Sequence, residues 1–175
     1  MATLPISETT VKEPTVGQII ESFQQEAPVN VVGIAERLGV NVWEDNLPHP
    51  ISGKLFIDKL NGGSSGFSIV VNKSESNPRK RFTIAHEIAH FILHRGDLND
   101  GIVEDALFRG ALSSKKETEA NQLAADILMP FPLIQKLMSQ GKRTLSELGE
   151  ALDVSKHAMA IRLGISYPPE SAYRG

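Results

Sequence analysis

His86-Glu87-Ile88-Ala89-His90 sets two imidazoles and a carboxylate at a spacing with a definite chemical use. Four residues apart on a helix, His86 and His90 stand one above the other and face the same way, so they can share one metal ion. Glu87 lies about 100° around the helix from His86, beside the ion rather than on it. A carboxylate there can take a proton from a metal-activated water without being a primary ligand. The chemistry implied is hydrolysis. Zinc lowers a water's pKa towards roughly 7 and polarises a carbonyl oxygen. Glu87 would then pass the water's proton to the leaving nitrogen as general base and acid. Histidine and carboxylate ligands suit Zn2+ and also Mn2+.

Two histidines need a third protein ligand. His94 continues the four-residue spacing, but it lies eight residues beyond His86, about 12 Å along a helix axis. One ion with bonds near 2 Å does not span three such side chains. His94 is better placed as a helix-end cation near the negative pole of the dipole. The stronger choices are Glu117 and Glu119, in a downstream segment with small residues at Ala120, Ala124 and Ala125. Such residues let a second helix approach the first closely, and helical spacing alone leaves both glutamates open.

The elements that must position these groups are legible from periodicity and punctuation. Asn77-Pro78 opens the metal helix, with Asn77 as the cap, and Gly96 ends it after His94. Lys115–Met129 reads as the next helix, stopped by Pro130 and followed by a shorter one over Pro132–Met138. Upstream, Val16, Ile19, Ile20 and Phe23 line one helical face, and Val31–Leu38 is a second short helix closed by Gly39. Three short β-type runs follow, Val40–Trp43, Ser52–Asp58 and Phe67–Val71. The turn cluster Asn61-Gly62-Gly63-Ser64-Ser65-Gly66 pairs the last two as a hairpin. Its glycines are read as a turn rather than a phosphate cradle, since no P-loop lysine follows. Thr144–Leu152 and Ser155–Leu163 close the chain as two amphipathic helices, the second capped by Ser155.

This organisation predicts a flexible leader over 1–14, a catalytic domain over 15–140, a helical segment over 141–165 and a tail over 166–175. Asp97–Gly110 is expected to be a loop. The chain's 175 residues match one compact domain. Eighteen Lys+Arg against 21 Asp+Glu give a net charge of -3, which argues against non-specific nucleic-acid binding as the main activity. There is no cysteine, which excludes disulfides, thiol catalysis, cysteine-ligated zinc and the cysteine-ligated class of HExxH hydrolase. The N-terminus lacks a signal-peptide core and no apolar run approaches the roughly 18 residues of a membrane span. A soluble cytoplasmic protein is expected, with no membrane partner.

Two segments carry a family resemblance. Arg81-Phe82-Thr83-Ile84-Ala85-His86-Glu87-Ile88-Ala89-His90-Phe91-Ile92-Leu93-His94 and Glu119-Ala120-Asn121-Gln122-Leu123-Ala124-Ala125-Asp126-Ile127-Leu128-Met129-Pro130 resemble the ImmA/IrrE family of metallo-endopeptidases. The likeness extends to Ile51-Ser52-Gly53 and Ile69-Val70-Val71-Asn72 upstream, and to Leu152–Ser155 and Ala158–Leu163 downstream. It implies an α+β, zincin-like metallopeptidase domain with a small three-stranded sheet, an HExxH helix and a C-terminal segment resembling a helix-turn-helix. It implies zinc on His86, His90 and Glu119, with Glu87 as general base. Leu123 departs from the phenylalanine expected there, a packing change only. Family members cut helix-turn-helix repressors, so the implied partner is such a repressor.

Peptidases of this kind hold an extended substrate against an edge strand, here Ser52–Ile57 or Phe67–Val71. An oxyanion donor is also needed, and Tyr167, Tyr173, His157 and Arg81 are the choices. The alternative to an enzyme is a repressor-binding or DNA-binding module on the same fold. For Thr144–Leu163 and the residues before it, Lys142, Arg143, Lys156 and Arg162 against Glu147, Glu150 and Asp153 leave only +1. That is thin for tracking phosphates, and packing support or repressor docking fits the segment better.

Overall fold

The computed structural model describes residues 13–97 and 114–166. Residues 1–12 of the expected leader, most of the Asp97–Gly110 loop and the tail from Tyr167 onward lie outside them. The described residues form an α+β fold of seven α-helices and a three-stranded sheet.

Helix α1 (Val16–Phe23) opens on a reciprocal capping box. Thr15 Oγ1 accepts from Gln18 N at 3.3 Å, while Gln18 Oε1 accepts from Thr15 N at 2.9 Å. Helix α2 (Val31–Arg37) is capped by Asn30, whose side chain accepts from Gly33 N at 3.0 Å. Gly39, at φ +79°, then turns the chain into the first strand as expected.

Strands β1 (Val40–Asp45), β2 (Gly53–Ile57) and β3 (Phe67–Asn72) stand in the order β1-β3-β2. The hairpin pairs β2 with β3 antiparallel, Leu55 opposite Ile69. β1 pairs with β3 in parallel, Val42 opposite Ile69. The central strand β3 is therefore bonded on both sides, and its buried run Ser68–Asn72 fits that position. β2 is a sheet edge. Asn72 N donates to Ser52 O and Asp58 N to Gly66 O, so even-numbered residues of β2 bond to β3. By antiparallel alternation, the main-chain groups of Leu55 and Ile57 point outward from that edge.

Helix α3 (Asn77–His94) ends where the sequence predicts and starts one residue earlier. Its cap is not Asn77 but Ser76, which makes no side-chain cap bond. Proline is tolerated anywhere in the first turn, so Pro78 admits Asn77 as a helical residue and moves the start back by one. After the 3-10 turn Arg95–Asp97 come α4 (Ser114–Leu128), α5 (Phe131–Ser139), α6 (Leu145–Leu152) and α7 (Lys156–Leu163). α6 has a capping box between Thr144 and Glu147, and Ser155 Oγ caps α7 by accepting from Ala158 N at 3.1 Å.

One core joins these parts. Ile34, Val40, Ile69, Ile88, Ile127, Leu128, Ile134, Leu148, Leu152 and Met159 are all buried within it. α4 lies along α3 where Ala85, Ala89, Ala120 and Ala124 have no exposed surface, so small side chains set the close approach. β2 presses on α3 from the other side. A Cβ at Gly53 would collide with Thr83 Cγ2 and stand 2.8 Å from Val70 O, so only glycine fits there.

Candidate metal centre

α3 directs His86 and His90 towards α4, and their Nε2 atoms stand 3.0 Å apart. α4 supplies a carboxylate between them. Glu117 Oε2 lies 3.5 Å from His86 Nε2, and Glu117 Oε1 lies 3.3 Å from His90 Nε2. Four ligands bound at 2.0–2.1 Å around a tetrahedral ion stand about 3.3 Å from one another, so these separations match the edges of such a site. Glu117 Oε1 is buried and receives no hydrogen bond, a costly state for a carboxylate oxygen unless a cation satisfies it. The donor set and its spacing fit a divalent ion.

The geometry groups Glu117, and not the Glu119 implied by the resemblance, with the two histidines. Glu119 is not in the cluster. Its Oε2 lies 3.3 Å from His94 Nε2 and its Oε1 3.7 Å from Lys115 Nζ. The reason is helical phase. Ala120 and Ala124 form the buried stripe of α4, and Glu117 and Asn121, one turn apart, lie on the side of that stripe facing His86. Glu119 falls two residues away, on the side facing the end of α3.

Asn121 is a site residue the sequence reading did not single out. Its Oδ1 lies 3.0 Å from His86 Nδ1, so it accepts that N–H and leaves His86 Nε2 as the metal-facing lone pair. Its spacing of four from Glu117 was the available signal. His94, set aside as a ligand on length, indeed sits beyond the pair, its Nδ1 3.0 Å from His90 Nδ1.

Glu87 is buried, and its Oε2 accepts from Leu55 N at 3.1 Å. Leu55 N is one of the outward groups of β2, so the edge strand itself orients this carboxylate. Ser52, Arg79, Phe82, Thr83, His86, Glu87, Glu117 and Asn121 line a pocket of about 180 Å³. Arg79, also not foreseen, donates to Ser52 Oγ at 3.3 Å there. A larger cleft of about 860 Å³ adjoins it, sharing Arg79, Phe82 and Asn121, and runs over Met129, Val154 and Ile161 towards α7.

The structure narrows the other expectations. Phe67–Val71 is the central strand, so of the two substrate strands only β2 has an edge to offer. Among the oxyanion choices, Arg81 is committed elsewhere. It donates to Val29 O at 2.8 Å and to Asp153 O at 3.2 Å, and burial pulls its pKa down while Asp153 opposes that shift. His157 lines the larger cleft rather than the metal pocket. Tyr167 and Tyr173 lie outside the described residues.

The chain is 38% identical over 90 residues to the radiation response metalloprotease IrrE of Deinococcus radiodurans, covering 50% of this chain and 27% of that protein. It is 33% identical over 108 residues to the protein of the same name from Deinococcus deserti, covering 60% and 38%. The matched region thus spans well under half of either relative. Among solved structures, a Mycobacterium tuberculosis transcriptional regulator superposes with a TM-score of 0.58 at 19% identity, over 91% of this chain and 49% of that one, which is a likeness of fold. A profile of the peptidase M78 family, the IrrE N-terminal-like domain, matches residues 35–164, the stretch that contains the sheet, α3 and α4. On that match the chain belongs to the IrrE N-terminal-like family of peptidase M78 domains.

Proposed function

We propose that the protein is a metal-dependent endopeptidase of narrow specificity whose substrate is a helix-turn-helix repressor. The observation that carries this reading is the convergence of His86 Nε2, His90 Nε2 and the Glu117 carboxylate at tetrahedral-edge distances, with Glu87 on the wall of the same pocket. The likeness to two radiation response metalloproteases supports it.

His86, His90 and Glu117 would hold a divalent ion, Zn2+ or Mn2+ by the chemistry of the donor set, which would supply a Lewis acid able to acidify water and polarise a carbonyl. The chain's own groups do the rest. The outer edge of β2 offers main-chain hydrogen bonds to an extended peptide. Leu55 N–H holds Glu87 against that edge, so the strand that would bind substrate also aims the base. Glu87 takes the proton of the attacking water and delivers it to the amine nitrogen as the peptide bond breaks. Asn121 keeps His86 in the tautomer that presents Nε2.

The repressor as partner rests on the family resemblance. DNA readout by α7 is disfavoured by Arg162, a basic residue that readout would need. It is instead bound to Asp126 Oδ1 at 2.6 Å, to Met129 O at 2.9 Å and over the Phe131 ring at 4.2 Å.

The test is a cleavage assay with the metal-loaded protein and the helix-turn-helix repressor encoded nearest to it, products weighed by mass spectrometry. Glu87→Gln should lower the cutting rate about 10²–10⁴-fold and leave metal content unchanged. An intact repressor that still forms a complex with both proteins would replace the enzyme by a binding module.

A further inference from the structure

We infer that Glu119 and His94 form a positioning relay that fixes the tautomer of His90 and so presents its Nε2 towards Glu117. The inference rests on the metal-centre reading above, and it gives a role to two residues that the centre itself does not use.

The direction of every hydrogen bond in the relay follows from chemistry. An ionised carboxylate only accepts, so Glu119 Oε2, 3.3 Å from His94 Nε2, requires the proton of His94 to sit on Nε2. A neutral imidazole carries one N–H, which leaves a lone pair on His94 Nδ1. That atom lies 3.0 Å from His90 Nδ1 and must accept from it. His90 therefore holds its proton on Nδ1 and its lone pair on Nε2. Nε2 is the atom 3.0 Å from His86 Nε2 and 3.3 Å from Glu117 Oε1.

Burial makes the relay consequential. His90 and His94 are 9% and 7% exposed, so water does not compete freely for their ring nitrogens. Glu119 is at the solvent end, its side chain 43% exposed, with Lys115 beside it. The two ligand histidines are thus oriented by different means. Asn121 serves His86 directly, whereas His90 is served through a second imidazole. The i, i+4 spacing His86, His90, His94 is what puts the third ring in line.

The tests use the full chain. Long-range ¹H–¹⁵N correlation spectra of the metal-free wild type should show His90 protonated at Nδ1 and His94 at Nε2. In His94→Phe the His90 signals should shift towards the other tautomer, and Zn2+ affinity, measured by competition with a chromophoric chelator, should fall about 10–100-fold. His94→Gln keeps an acceptor for His90 and a donor for Glu119, so it should recover most of that loss. Should His94→Phe fail to fold, Glu119→Leu, at a half-exposed position, should weaken Zn2+ binding and release the His94 tautomer. A wild-type His90 protonated at Nε2, or a folded His94→Phe that binds Zn2+ as wild type does, would overturn the relay. Failure of the metal-centre reading looks different: Zn2+ affinity would then be indifferent to Glu117→Ala, while the tautomer spectra still decide the relay.

Discussion

Two helix pairs, α3 with α4 and α6 with α7, use their polar side chains in opposite ways. Between α3 and α4, histidines and glutamates point at one another across a seam of alanines, and Glu117 Oε1 is left without a hydrogen bond. At α6 and α7, two arginines are matched to fixed protein partners. Arg162 joins Asp126, Met129 O and Phe131, while Arg81 reaches from α3 to Asp153 O, beside the left-handed end of α6. The first pair conserves an unmet demand for positive charge, which is the property of a binding site. The second ties Arg162 and Arg81 to groups on neighbouring elements, which is the property of a scaffold. A helix-turn-helix outline is therefore no sign by itself of nucleic-acid binding, and two glutamates in one helical turn are not equivalent ligands.

The largest effect that would sharpen this contrast lies within α4. Glu117→Gln should weaken Zn2+ binding by more than the roughly 10–100-fold typical of residues behind the ligands, and Glu119→Gln by less than tenfold because the amide oxygen still accepts from His94. Chelator competition checks both, and the reverse order would erase the distinction drawn here. At the second pair, Arg162→Ala should destabilise the fold by about 1–3 kcal/mol, read from chemical denaturation, since it removes charge-assisted bonds from a largely buried guanidinium. It should leave any weak association with DNA unchanged, and a selective loss of DNA binding without loss of stability would break the scaffold reading. The smallest effect is in the acid limb. Glu147 accepts from Arg143 N, Thr144 N and Thr144 Oγ1, and these bonds hold its pKa below the ordinary carboxylate value. A lowered folded pKa gives stability that is present above the unfolded value and lost as pH falls through the folded one. As pH falls below the ordinary carboxylate value, the exchange protection of the amides at the start of α6, corrected for intrinsic rates, should therefore drop, and Glu147→Gln should flatten that dependence.

Local signals carried far in this chain, and tertiary ones did not. The end of α3, the hairpin of β2 and β3, the Gly39 turn and the Ser155 cap follow from punctuation and periodicity. The pair His86 and His90 with Glu87 beside it was legible because helix geometry alone places it. Choosing Glu117 over Glu119 was not, because the answer depends on how α4 is rotated against α3. That rotation is set by which alanines are buried, and Ala120 and Ala124 occupy the seam while Ala125 faces the larger cleft. The edge strand was hidden for a similar reason. Both hairpin strands look alike in sequence, and only the parallel pairing of the earlier β1 with β3 makes β3 central. Asn121, Arg79 and the contact of Glu119 with His94 share this origin, being contacts between elements rather than patterns within one.

The most direct test of the central claim is anomalous diffraction at the zinc edge from crystals of the zinc-loaded protein. A single peak bounded by His86 Nε2, His90 Nε2 and the Glu117 carboxylate, with Glu119 remaining on His94, is the predicted result. A peak coordinated by Glu119, or one placed away from the two Nε2 atoms, would contradict it.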